Sequence, residues 1–129
     1  MRIFSKRSLK NLQNVHPDLV KVVTAALQLS AVDFAVVEGV RDLETQRKYV
    51  AKGVSKTMHS RHLLQPDGYG HAIDLYPYYD GSVQVEAPTS EWRKVAAAMK
   101  KAACDLGVSI TWGGDWKNGW DKPHIQLER

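Results

Sequence analysis

The stretch HSRHLLQPDGYGHAIDLYP, residues 59–77, constrains the fold more than any other part of the chain. It carries three of the five histidines, and Asp74 sits within it among small and apolar residues. Strand alternation through HAIDLYP sends His71, Ile73 and Leu75 to one face and Ala72, Asp74 and Tyr76 to the other. A carboxylate on such a strand requires a partner, and a cation supplies one. Whatever fold forms must bring further polar groups to the Asp74 face.

A second chemical segment, WDKPHIQLE, offers them. The same alternation aligns His124 with Gln126 and turns Ile125 and Leu127 into a core, so His124 can face a cleft. Two imidazoles and one carboxylate make a three-ligand set with a fourth position open, the pattern of catalytic rather than structural zinc. The residues alone leave a plainer alternative open, in which His62 and His124 face solvent and Asp74 caps a turn.

Elsewhere the patterning is helical or strand-like in short pieces. HPDLVKVVTAALQLS reads as a helix with Pro17 in its first turn and Leu19, Val22, Val23, Ala26 and Leu27 at helical spacing. DFAVVEGV reads as a buried strand, and Asp42 as the cap of a helix through LETQRKYVAKG that Gly53 stops. TSEWRKVAAAMKKAACDLG is the clearest helix, starting at Thr89 or Ser90 and ending at Gly107. HAIDLYP, VSITWGG and PHIQLE read as short strands. Helices and strands mix without regular alternation, which predicts an α+β fold: residues 1–129 as a single domain with a small, largely antiparallel sheet flanked by helices.

Charge and composition exclude several roles. The net charge of +4 favours an anionic partner, but Lys and Arg are scattered rather than striped, which argues against a nucleic-acid surface. No apolar run approaches the ~20 residues of a membrane span, so no membrane insertion is expected. The basic N-terminal segment MRIFSKRSLKNLQNVHP lacks an apolar core, so no signal peptide is expected either. The single cysteine, Cys104, lies in an alanine-rich helical run and reads as a small buried hydrophobe rather than a nucleophile.

The motifs taken together carry a resemblance. SRH, GHAID and DKPH match the Ser-x-His, Gly-x-Ala-x-Asp and Asp-x-Pro-His pattern of the zinc D-Ala-D-Ala carboxypeptidase-like peptidases. VVEGVRDLETQ resembles that family's strand, arginine and following helix with glutamine, and TWGGDW before DKPH is similar to the branch of L-alanyl-D-glutamate peptidases and phage endolysins. The resemblance runs in order over most of the chain. It implies a zinc-dependent peptidoglycan peptidase that hydrolyses the L-alanyl-D-glutamate bond of murein stem peptides and lyses the host cell. It also implies a monomer held in the host cytoplasm that reaches the periplasmic wall after holin-dependent release.

Residue by residue, the resemblance implies one Zn2+ on His62, Asp74 and His124, with Asp121 as the catalytic acid-base. Arg41 would contact the substrate carboxylate or oxyanion, since its fork grips such groups bidentately; a surface ion pair with Asp42 or Glu44 is its alternative. Gln46 and Ser60 would supply substrate hydrogen bonds. Family members space the first histidine and the aspartate more closely than the twelve positions between His62 and Asp74, so residues around QPDGY must bulge out. Whether His59 or His71 contributes stays open, although His71 falls on the opposite strand face from Asp74. Trp112, Trp116 and Trp120 can wall the cleft, but core packing is the commoner fate of a tryptophan. A D-Ala-D-Ala carboxypeptidase, a metal-dependent nuclease and a non-catalytic wall-binding module are the competing readings.

Overall fold

A computed structural model describes residues 2–53 and 60–128. His59, one of the candidate histidines, lies outside the described residues. Two helices, α1 (Lys6–Asn11) and α2 (Pro17–Leu29), precede strand β1 (Phe34–Glu38) and helix α3 (Leu43–Ala51). There follow β2 (Ala72–Tyr79), β3 (Ser82–Val83), the long helix α4 (Thr89–Leu106), β4 (Ile110–Trp112) and β5 (His124–Leu127). Two short 3-10 turns, Gly113–Asp115 and Lys117–Gly119, join β4 to the last strand.

Among the described residues the sheet order is β1-β2-β5-β4, with β3 paired to β2, and every ladder is antiparallel. The expected α+β architecture is therefore the observed one. Helices α2 and α4 pack together, and their apolar stripes meet the inward strand residues Val36, Ile73, Leu75, Ile125 and Leu127 in one hydrophobic cluster. Val22, Val23, Ala26, Val95 and Met99 are buried there. Burying each Val or Met side chain contributes roughly 1.5–3 kcal/mol. Period-two alternation then leaves Asp74, His124 and Gln126 on the other sheet face.

Helix α4 starts at Thr89 and ends at Gly107 as expected, with Pro88 as its N-cap residue and the Pro88 carbonyl accepting from Glu91 and Trp92. One sequence expectation fails there. Cys104 is exposed rather than buried. The helical period carries Met99, Ala102 and Ala103 inward and turns Cys104 roughly 140° away from Met99. A second feature, helix α1, was not anticipated: Ser5 caps it by accepting from the Ser8 amide.

A candidate metal centre on the open sheet face

Register brings the two motifs together. Antiparallel pairing of β2 with β5 sets His124 directly opposite Asp74, and facing pairs on one sheet side lie closest of all cross-strand residues. A bulge in β1 between Val36 and Glu38 sets Glu38 opposite Asp74 on the other side. His62 arrives from a loop whose backbone is held on both flanks: Arg41 N–H donates to the His62 carbonyl at 2.8 Å, and His71 N–H to the Arg61 carbonyl at 2.8 Å. The twelve-residue interval closes through a turn in which Gln65 N–H donates to the Tyr69 carbonyl, so the expected bulge is present.

The tautomers can be read from acceptors that cannot donate. His62 Nδ1 lies 2.9 Å from the Gly39 carbonyl. That nitrogen must carry the proton, which leaves a lone pair on Nε2. Nε2 points at Asp74 Oδ1, 3.2 Å away. Gly39 is glycine because a Cβ there would fall 1.8 Å from the Asn11 carbonyl oxygen of α1. On the other side, His124 Nε2 lies 2.8 Å from Gln126 Oε1 and its Nδ1 lies 3.6 Å from the same Asp74 oxygen.

With both imidazoles neutral in these tautomers three lone pairs converge, and Asp74 Oδ1 is buried without a hydrogen-bond partner. The candidate ligand atoms of His62, Asp74 and His124 all lie within 4.8 Å of one another. Such an arrangement is repulsive until a cation enters it. A proton is one answer. Burial alone would raise the Asp74 carboxyl, yet its interactions with His124 and His62 outweigh that and hold the group well below the usual carboxylate range. Burial likewise opposes protonation of His124, but Asp74 wins and raises its pKa. A metal ion is the other answer, and the donors are compatible with one.

Asp121 stands beside this centre, its Oδ2 3.8 Å from His124 Nδ1. Burial, then the Asp74 charge, push its carboxyl above the usual range. It is fixed by a close backbone approach, since a Cβ on Gly113 would meet the Asp121 carbonyl oxygen at 2.1 Å. Arg41 is buried, not a surface residue, and pairs with neither Asp42 nor Glu44. Its Nε donates to Glu38 at 2.7 Å, its Nη1 to Gln46 at 2.6 Å, and its guanidinium lies over the Tyr49 ring at 4.5 Å. That leaves Nη2 facing Asp74 Oδ2 at 3.8 Å.

Two candidates for substrate contact, Gln46 and Ser60, are buried and bonded to neighbouring site residues. Gln46 is 0% exposed and holds Arg41. Ser60 is buried, its Oγ accepting from His62 N–H at 3.1 Å. His71 joins another group, bonding Asp67 at 2.7 Å beside His16. There a proton already occupies the gap: His16 Nδ1 accepts from Asp18 N–H, so its Nε2 carries hydrogen toward Asp67. That closed set differs from the open one around Asp74.

Of the tryptophans, Trp112 is core, whereas Trp116 lies against the His124 ring at 5.1 Å and stacks on Trp120 at 5.2 Å. Trp116 was among the tryptophans expected to wall the cleft, whereas Glu38 and Tyr49 were not singled out as site residues from sequence. Those two were findable as the residues at helical or turn spacing from Arg41.

Fold and donors together define a class: small α+β domains with an antiparallel sheet whose open face carries a centre compatible with a metal ion. Comparison with known proteins narrows it. The sequence model of the phage L-alanyl-D-glutamate peptidase family matches residues 1–128, and the chain belongs to that family. The chain is 33% identical over 129 residues to the L-alanyl-D-glutamate peptidase of Escherichia phage T5, covering 98% of this chain and 89% of that one. The L-alanyl-D-glutamate peptidase of Listeria phage A118 is 29% identical over 127 residues, 96% of this chain but 42% of the relative. The crystal structure of Serratia marcescens L-Ala D-Glu endopeptidase ChiX superposes with a TM-score of 0.85 at 42% identity, covering 97% of this chain and 89% of that one.

Proposed function

We propose that residues 1–129 form one catalytic domain, a zinc-dependent endopeptidase that hydrolyses the L-alanyl-D-glutamate bond of peptidoglycan stem peptides. The observation that carries this reading is the convergence of candidate ligand atoms from His62, Asp74 and His124 around a buried, unpartnered carboxylate oxygen, beside an acid with a raised pKa. Their spacing is compatible with a divalent ion such as zinc, which His62, Asp74 and His124 would hold. The observed separations from Asp74 Oδ1 are 3.2 Å to His62 and 3.6 Å to His124.

When bound, zinc supplies Lewis acidity that activates water and polarises the scissile carbonyl. Asp121 takes the proton of the attacking water and returns it to the D-glutamate nitrogen as the C–N bond breaks. Its raised pKa makes it a stronger base for the first half of that exchange and lies nearer to neutrality, where the carboxyl can hold the proton until the leaving nitrogen takes it. Arg41, held by Glu38 and Gln46, presents Nη2 to a substrate carboxylate or to the developing oxyanion. Trp116 covers one side of the His124 ring. Lysis of a host from within follows if the protein is released to the wall; among the described residues no helix is long and apolar enough to cross a membrane.

Mass spectrometry of fragments released from purified peptidoglycan tests the bond assignment. The expected products are stem peptides with a new N-terminal D-glutamate, formed without chelator and suppressed with it. Release of terminal D-alanine instead would make the protein a carboxypeptidase.

A further inference from the structure

Beyond the ligand set, we propose that Gln126 is a positioning residue that fixes the tautomer and ring orientation of His124, and that Glu128 in turn fixes Gln126. The inference rests on the metal reading given above. Glu128 is a carboxylate that accepts from Gln126, a bond that lowers its pKa and keeps it ionised. An ionised carboxylate only accepts. The Gln126 group 2.8 Å from Glu128 Oε1 must therefore be the NH2, and the amide cannot be flipped. Its oxygen then faces His124 at 2.8 Å and must receive a proton from Nε2. A neutral imidazole with Nε2–H has its lone pair on Nδ1, the nitrogen that faces Asp74.

The chain Glu128–Gln126–His124 thus transmits a direction, and each member is set by the strand that carries it. His124 and Gln126 share a face of β5 because they are two residues apart, Gln126 pairs with Thr111 of β4, and Glu128 is held by its own N–H donating to the Ser109 carbonyl. His62 receives the same service from a backbone carbonyl, that of Gly39, which cannot be changed by substitution. The His124 side depends on two replaceable side chains. Residues that orient metal-ligating imidazoles typically change metal affinity about 10- to 100-fold when removed.

The test uses the whole chain. Gln126→Leu deletes the acceptor at a half-exposed site. The double variant Gln126→Glu with Glu128→Gln restores the order of donor and acceptor with the two groups exchanged. The first readout is the His124 tautomer, from 15N shifts of the metal-free protein at mildly alkaline pH. The second is zinc affinity by competition with a chelator. The expected result is Nε2–H in wild type, a population moved toward Nδ1–H and about 10- to 100-fold weaker zinc binding in Gln126→Leu, and recovery of both in the double variant. Retention of Nε2–H in Gln126→Leu, zinc affinity within about threefold of wild type, or no recovery in the double variant would overturn the inference. Should wild type bind no zinc, the metal reading falls, while the tautomer shifts still decide the role of Gln126.

Discussion

Replacing Arg41 with lysine keeps the charge and removes the fork, which separates a positioned guanidinium from a mere cation. In the structure that fork divides its bonds between Glu38 at 2.7 Å and Gln46 at 2.6 Å while lying on Tyr49. A lysine ammonium can satisfy one of these acceptors. A hydrogen bond to a charged group contributes about 1.5–3 kcal/mol, so Arg41→Lys should cost about 2 kcal/mol of stability and Arg41→Ala about 3–4 kcal/mol. At roughly 3–5 °C per kcal/mol for a domain of this size, lysine lowers Tm by about 6–10 °C. In catalysis, loss of a directed contact at Nη2 removes about 2–4 kcal/mol of transition-state stabilisation, or roughly 30- to 1000-fold in kcat/KM. Both quantities come from a melting curve and from kcat/KM on a defined muropeptide, assayed well below either melting point. A lysine variant within about 2 °C of wild-type Tm and within about threefold of its kcat/KM would refute the reasoning.

Asp121→Asn should retain zinc and fold while losing about 10²- to 10⁴-fold in rate, measured on the same muropeptide alongside metal content. Because a base works only when ionised and burial beside Asp74 raises this carboxyl, activity should fall with decreasing pH from a point above the ordinary carboxylate range. A pH–kcat/KM profile that lacks this acid limb in the wild type would remove Asp121 from the role. His71→Ala should leave zinc content and the His124 tautomer unchanged, since its partner is Asp67; zinc loss by metal analysis would return it to the site.

What the sequence disclosed was local, and what it hid was long-range. Alternation along HAIDLYP and PHIQL is a property of each strand by itself, so the shared face of Asp74 and the cleft-facing side of His124 were legible. Their direct opposition was not, because it depends on β5 entering the sheet between β2 and β4 rather than at its edge. The β1 bulge is likewise invisible in FAVVEGV, yet it sets Glu38 across from Asp74. Arg41 was legible as a candidate from its motif, but its depth was not: three neighbours from β1 and α3 close around it. Gln46 shows the same gap, since a glutamine on an exposed-looking helix turn is here wholly buried under that arginine. Cys104 was misjudged because an alanine-rich run hides which side of the helix packs. Gly39 and Gly113 gave no signal of the close backbone approaches that they permit.

The central claim is that His62, Asp74 and His124 hold a metal ion in the gap that no proton donor fills. Metal content of the purified protein tests it most directly, by elemental mass spectrometry after removal of loosely bound ions. The account predicts about one zinc per chain in the wild type and in Asp121→Asn, and its loss in each of His62→Ala, Asp74→Ala and His124→Ala with the fold retained. A folded wild type that takes up no zinc, or full zinc in any of the three alanine variants, would contradict it.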